Sequence, residues 1–61
     1  MNAWQALEYA RENEARAMNF YRTVSEGSTD PEIKALAMEF ATEEADHTMA
    51  LDKMIAQTQR P

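Results

Sequence analysis

Apolar residues follow a helical period in two long stretches of the chain. In the first, steps of four and three residues select Ala3, Leu7, Ala10, Glu14, Ala17, Tyr21 and Val24. In the second, the same steps select Ile33, Ala37, Phe40, Glu44, His47, Leu51 and Met54. Each series predicts a helix with one inward-facing stripe. Only Glu14, Glu44 and His47 interrupt the two stripes.

Local signals predict the ends of the first helix. Asn2 with Gln5 approximates a capping box, in which each residue bonds the backbone of the other. No Pro or Gly follows until Gly27, which stands where a left-handed C-cap belongs. We therefore expect helix 1 at about residues 3–25 and a turn at 26–30.

The second helix has a strong start signal. Asp30 is the expected N-cap and Pro31 the first helical residue. An alternative register has Thr29 capping against Glu32. No breaker follows until about residue 57, so residues 1–61 are predicted to form a single antiparallel helical hairpin, with helix 2 at about 31–57.

The three polar exceptions are predicted to meet. Glu44 and His47 are three residues apart, so both side chains leave the same face of helix 2. Glu14 and Glu44 are each about 18–20 Å from the turn at 1.5 Å per residue, which puts them at one level of the hairpin. The hairpin would then hold two carboxylates and one imidazole in a small volume, which is half of a metal site.

Chain size favours a partner. A chain of 61 residues is too short to bury a large core, and small chains rely on disulfides, metals or oligomerisation. The absence of Cys excludes disulfides and thiolate ligands. A two-fold homodimer would bring four Glu and two His to the centre of a four-helix bundle, which is the ligand inventory of ferritin-like di-iron proteins.

Charge narrows the choice of partners. Eleven acidic and six basic residues give a net charge of −5, which argues against nucleic acid and anionic membranes. The N-terminus has neither the basic nor the apolar region of a signal peptide, and no apolar run approaches a membrane span. We therefore expect a cytoplasmic protein.

Simpler interpretations of the polar residues remain open. Glu14 could form a surface salt bridge with Arg11 one turn away. His47 could be a neutral core histidine bonded to Glu43 or Glu44. The other acidic residues of helix 2 are expected to form a solvated face; they are Glu39, Glu43, Asp46 and Asp52.

Three segments carry a family resemblance. They are Glu-Ala-Arg-Ala-Met-Asn-Phe-Tyr at 14–21, Ser-Thr-Asp-Pro-Glu at 28–32 and Glu-Glu-Ala-Asp-His at 43–47. Together they resemble the half-site of encapsulated ferritins and the first helix pair of rubrerythrin-like proteins. The resemblance implies Glu14 and Glu44 as carboxylate ligands, His47 as a nitrogen ligand and Tyr21 as a neighbour of the site. It also implies a homodimer, a ring of dimers and an encapsulin-type shell, which would form a nanocompartment.

The expected chemistry is di-iron oxidation. Carboxylates and imidazoles suit Fe(II), Mn(II) or Zn(II), and our leading hypothesis is a ferroxidase whose catalytic and metal-binding residues are Glu14, Glu44 and His47. Alternatives are a rubrerythrin-like role in peroxide defence, a structural metal that staples the dimer, and a bundle without metal. The chain could also be part of a longer protein that supplies the remaining ligands itself. Without Cys, it cannot hold a rubredoxin-type iron.

Overall fold

The chain folds as two long helices packed side by side. A computed structural model describes residues 1–60, which form α1 (Ala3–Gly27) and α2 (Pro31–Gln57), with no strand. The hairpin is 46 Å long. The prediction of an all-α antiparallel hairpin is confirmed, whereas the last residue of the predicted unit, Pro61, lies outside the described residues.

Helix α1 begins with the predicted capping box but ends differently from the prediction. The Gln5 N–H donates to Asn2 Oδ1 at 2.8 Å, and the Asn2 N–H donates to Gln5 Oε1 at 3.0 Å. The expected left-handed cap at Gly27 is wrong, because no described residue has a positive φ. Gly27 stays helical, two residues past the expected end, and the chain leaves the helix at the extended Ser28, whose N–H donates to Val24 O at 3.0 Å.

Helix α2 begins at Pro31 with Asp30 as its cap. The Asp30 carboxylate accepts the Glu32 N–H at 2.9 Å, so the alternative register at Thr29 is not used. A reciprocal contact ties the two helices beside the turn: Ser25 Oγ donates to Lys34 O at 3.1 Å, and Lys34 Nζ donates to Ser25 O at 2.9 Å.

Small residues form the contact between the helices. Only Ser25, Ala37 and Ala41 are buried among the described residues, with 3–5% of their surface exposed. The less exposed positions of α2 define the stripe that faces α1; they are Ala37, Ala41, Glu44, Ala45, Thr48, Leu51 and Ile55. The predicted inward stripe of α2 is therefore partly wrong, because Ile33, Phe40 and Met54 remain exposed in the hairpin.

One side of the hairpin carries exposed large apolar side chains, among them Phe20, Ile33, Leu36 and Phe40, and we call it the open face. It contains an apolar groove near the turn, lined by Phe20, Tyr21, Val24, Ile33, Leu36, Ala37 and Phe40. The Tyr21 ring packs at 5.5 Å from Phe20 and 5.2 Å from Phe40, measured between centroids. His47 follows Phe40 by seven residues, or two turns, so the imidazole belongs to the same face.

The other side, which we call the back face, carries a groove between the helices that includes Met18 and Ala45. An ion pair joins the helices on this side, where Arg11 Nε donates to Asp52 Oδ1. Arg11 lies two turns before Met18, and Asp52 lies two turns after Ala45, which places the pair on this face.

Candidate metal centre

Three side chains from both helices converge at the middle of the open face. One donor atom each from Glu14, Glu44 and His47 lies within 4.8 Å of the other two. His47 Nδ1 is 3.4 Å from Glu14 Oε2 and 3.8 Å from Glu44 Oε2. The structure thus brings together the three residues singled out from the sequence, while their roles in metal binding and catalysis stay predictions.

Helix geometry explains the convergence. Glu44 and His47 are one turn apart on α2, and Glu14 reaches them from α1. Glu14 is the twelfth of 25 residues in α1, counted from Ala3, and Glu44 is the fourteenth of 27 in α2, counted from Pro31. Because the hairpin is antiparallel, two mid-helix positions necessarily lie at nearly the same level.

The cluster is less buried than its position in the apolar stripes suggests. The exposed fraction of the side chain is 30% for Glu14, 21% for Glu44 and 61% for His47. His47 is therefore exposed in the single hairpin and lies outside its core. The exposure arises because two helices leave the open face uncovered, so these three polar side chains keep contact with solvent within a single hairpin.

One carboxylate oxygen of the cluster is nevertheless buried without a hydrogen bond. Glu14 Oε2 is buried and has no hydrogen-bond partner among the described residues, because its contact with His47 Nδ1 lacks hydrogen-bond geometry. Buried polar atoms are seldom left without a partner. A buried carboxylate oxygen beside a second carboxylate and an imidazole nitrogen is a donor set that fits a divalent metal such as Fe(II), Mn(II) or Zn(II).

The charges near the cluster decide whether Glu14 forms the surface salt bridge with Arg11 that the sequence left open. Arg11 does not pair with Glu14; its guanidinium binds Asp52, and this hydrogen bond raises the pKa of Arg11. All four residues of the expected solvated face, Glu39, Glu43, Asp46 and Asp52, are exposed, and Asp52 additionally pairs with Arg11. The sequence did not indicate the Arg11–Asp52 pair, since the two residues meet only once the helices have a defined register.

Neither described helix has a stretch apolar enough to cross a membrane.

Tyr21 lies two turns from Glu14 and packs against aromatic rings, and its role beside the site stays a prediction.

Comparisons with known proteins agree with these observations. The rubrerythrin family model matches residues 5–60. A crystal structure of an uncharacterized conserved protein from Magnetospirillum magnetotacticum MS-1 superposes with a TM-score of 0.93 and 52% sequence identity. The match covers 95% of this chain and 39% of that one, so this chain spans well under half of the relative's length. No curated protein shows a significant match. The resemblance to encapsulated ferritins stays a prediction, whereas the resemblance to rubrerythrin-like proteins is confirmed, and the chain belongs to the rubrerythrin family of the ferritin-like superfamily.

Proposed function

We propose that this protein oxidises Fe(II) at a di-iron carboxylate centre assembled from two hairpins. The observation that carries the proposal is the convergence of Glu14, Glu44 and His47 at mid-length of the open face. Membership of a family that typically binds iron supports the choice of metal. Mn(II) and Zn(II) suit the same donors, so metal identity is part of the test.

Each residue has a definite task in this proposal. Glu14 and Glu44 supply carboxylate oxygens that can bridge two cations, and His47 supplies Nδ1, the nitrogen nearest both carboxylates. When bound, two adjacent Fe(II) ions supply the two electrons that reduce dioxygen or a peroxide.

A second hairpin is needed because three donors are half of the ferritin-like set. The apolar side chains of the open face also need a cover, since Phe20 is 62% exposed and Ile33 45% exposed. A second copy of the chain would meet both needs. The two mid-length clusters then face each other across a two-fold axis perpendicular to the helices.

Side-chain size supports this orientation of the dimer. The half of the open face near the turn carries large residues such as Phe20, Ile33 and Phe40. On α1, the half near the termini carries Ala6, Leu7 and Ala10 at the equivalent helical positions. A perpendicular two-fold axis packs the large residues near the turn of one copy against this half of the other copy, where two of these three α1 side chains are small, which favours dense packing.

The test is anaerobic loading followed by exposure to oxygen. We expect two Fe(II) ions per pair of hairpins and oxidation faster than in buffer. Glu44→Gln should abolish the acceleration because the amide is a neutral and weaker ligand. Glu43→Gln is the matched control, since Glu43 is the adjacent exposed residue and lies outside the cluster. One ion or fewer per pair, with Glu44→Gln as fast as the unmodified protein, would refute the proposal.

A second arrangement has the other half-site on the same polypeptide. The relative from Magnetospirillum magnetotacticum favours it, because the aligned region is only 39% of that chain. Native mass of the complete gene product separates the two arrangements. Two ions with one polypeptide indicate an intramolecular bundle, and two ions with two polypeptides indicate the homodimer.

The rates at which dioxygen and hydrogen peroxide oxidise the bound metal would distinguish iron oxidation, peroxide defence and a purely structural metal. Faster oxidation with hydrogen peroxide than with dioxygen would favour peroxide defence, which the rubrerythrin family match makes a serious alternative. A metal that binds but stays inert to both oxidants would indicate a structural staple, as the small buried core allows. Ring assembly, an encapsulin-type shell and a nanocompartment stay predictions.

A further inference from the structure

An interhelical ion pair lies close to the metal cluster but on the opposite face. Arg11 is three residues before Glu14 on α1, and Asp52 is five residues after His47 on α2. The cluster opens on the open face, whereas the pair lies on the back face. The same segment of the helix contact is therefore bounded by the cluster on one side and by the ion pair on the other.

The cluster itself tends to separate the helices in this segment. Glu14 and Glu44 belong to different helices and hold carboxylate oxygens within 4.8 Å of each other and of His47. Like charges at such distances repel unless a cation lies between them. Apolar packing opposes this separation less here than near the turn, because the buried residues Ser25, Ala37 and Ala41 lie between the cluster and the turn, whereas Leu51 and Ile55 beyond the cluster are only half-buried.

We infer that Arg11 and Asp52 are positioning residues, an inference that rests on the proposed metal site. Their ion pair holds the two helices in the register and spacing that binding of the cation requires. The pair opposes the carboxylate repulsion across the same contact. Its charges nearly cancel, so Arg11 does not present a net positive charge to the incoming metal.

The inference predicts that removing Arg11 lowers the affinity for cations, whereas a purely electrostatic effect of Arg11 would predict that it raises this affinity. Removing Arg11 makes the vicinity of the site more negative, which by Coulomb attraction alone would tighten cation binding. If Arg11 acts by positioning, its removal weakens binding in spite of the added negative charge. Arg16→Gln is the matched control, because Arg16 is two residues from Glu14 and, among residues 1–60, its one ion pair is with Glu12 of its own helix, at 3.9 Å.

We would measure Zn(II) affinity by chelator competition, at a temperature where every variant has the helical circular dichroism of the unmodified protein. Arg11→Gln and Asp52→Asn should each weaken binding about threefold, in line with the modest worth of exposed ion pairs. The charge-swapped double variant, Arg11→Asp with Asp52→Arg, should recover most of the affinity. Arg16→Gln should leave affinity unchanged or slightly increase it.

A second readout needs no metal. The chain has no Cys, so spin labels can be attached at Tyr9→Cys and Lys53→Cys, two exposed positions on different helices. The distribution of label distances should broaden in Arg11→Gln and sharpen again in the charge swap. Tighter Zn(II) binding in Arg11→Gln, or an unchanged distance distribution, would overturn the inference. If the unmodified protein binds no metal, the proposed function fails, and the distances still decide whether the pair positions the helices.

Discussion

Glu14 Oε2 and His47 Nδ1 lie 3.4 Å apart across the contact between α1 and α2, and that carboxylate oxygen has no hydrogen-bond partner among the described residues. The two atoms belong to different helices, so their separation depends on how the hairpin closes. A divalent cation between them would replace an unfavourable environment with coordination bonds. At the proposed metal site, the stability of the hairpin would therefore depend on whether a cation is bound.

Glu14→Gln is expected to change stability in opposite directions with and without metal. Without metal, the variant should melt at a higher temperature, because it removes repulsion between Glu14 and Glu44. With Zn(II), it should melt lower, because a ligand is lost and affinity falls about tenfold or more. Thermal melts with Zn(II) and with a chelator test this. Glu39→Gln is the control, and a shift of Glu14→Gln in the same direction under both conditions would contradict the metal site.

Phe40→Glu should prevent association of hairpins. Phe40 lies on the open face, and a carboxylate there would be buried without a partner in the proposed dimer. Met49→Glu is the matched control because Met49 is 68% exposed and lies away from the open face. Sedimentation should give a monomer for the Phe40 variant and a dimer for the Met49 variant. Equal masses for the two variants would argue against the open face as the interface.

Gly27→Ala should stabilise the protein by about 0.5–1 kcal/mol, since Ala is the better residue inside a helix. Gly27 is helical, has no positive φ, and an added Cβ would meet no atom within 4 Å. Chemical denaturation provides the measurement. A loss of stability would instead indicate the left-handed conformation that the sequence first predicted at this position.

Chelation should lower the melting temperature of the loaded protein. A ligand that binds only the folded state stabilises it by about 2.7 kcal/mol at a free concentration of 100 times Kd. Melting should also depend on protein concentration if two copies build the site. In the Glu44→Gln variant, the chelator should have little effect. A melting temperature of the unmodified protein that is insensitive to chelator would contradict metal stapling.

Local chemistry made much of the fold predictable. The capping box at Asn2 and the Asp30–Pro31 start are decided by neighbouring residues, so the sequence was sufficient for both. The common level of Glu14 and Glu44 was predictable for a similar reason, because each distance to the turn is a count of helical residues. The convergence with His47 then depended only on the rise and period of a helix.

Features that depend on tertiary contacts were harder to predict. The apolar pattern of α2 contains two stripes, and only packing shows that Ala37 and Ala41 face α1 while Phe40 does not. Small residues take the contact because they let two helices approach closely. The partner of Arg11 was hard to predict for the same reason. Glu14 is its neighbour along the helix, yet Arg11 contacts Asp52 on the other helix.

The division of the cluster between two helices also sets an order in time. Glu14 emerges from the ribosome before α2 exists, and a lone carboxylate on an isolated helix is a weak ligand. Closure of the turn must bring Glu44 and His47 alongside before three donors are available. For the proposed metal site, a newly made chain would therefore bring its three donors together only as the hairpin closes, and the remaining donors would join only when a second half-site packs against it.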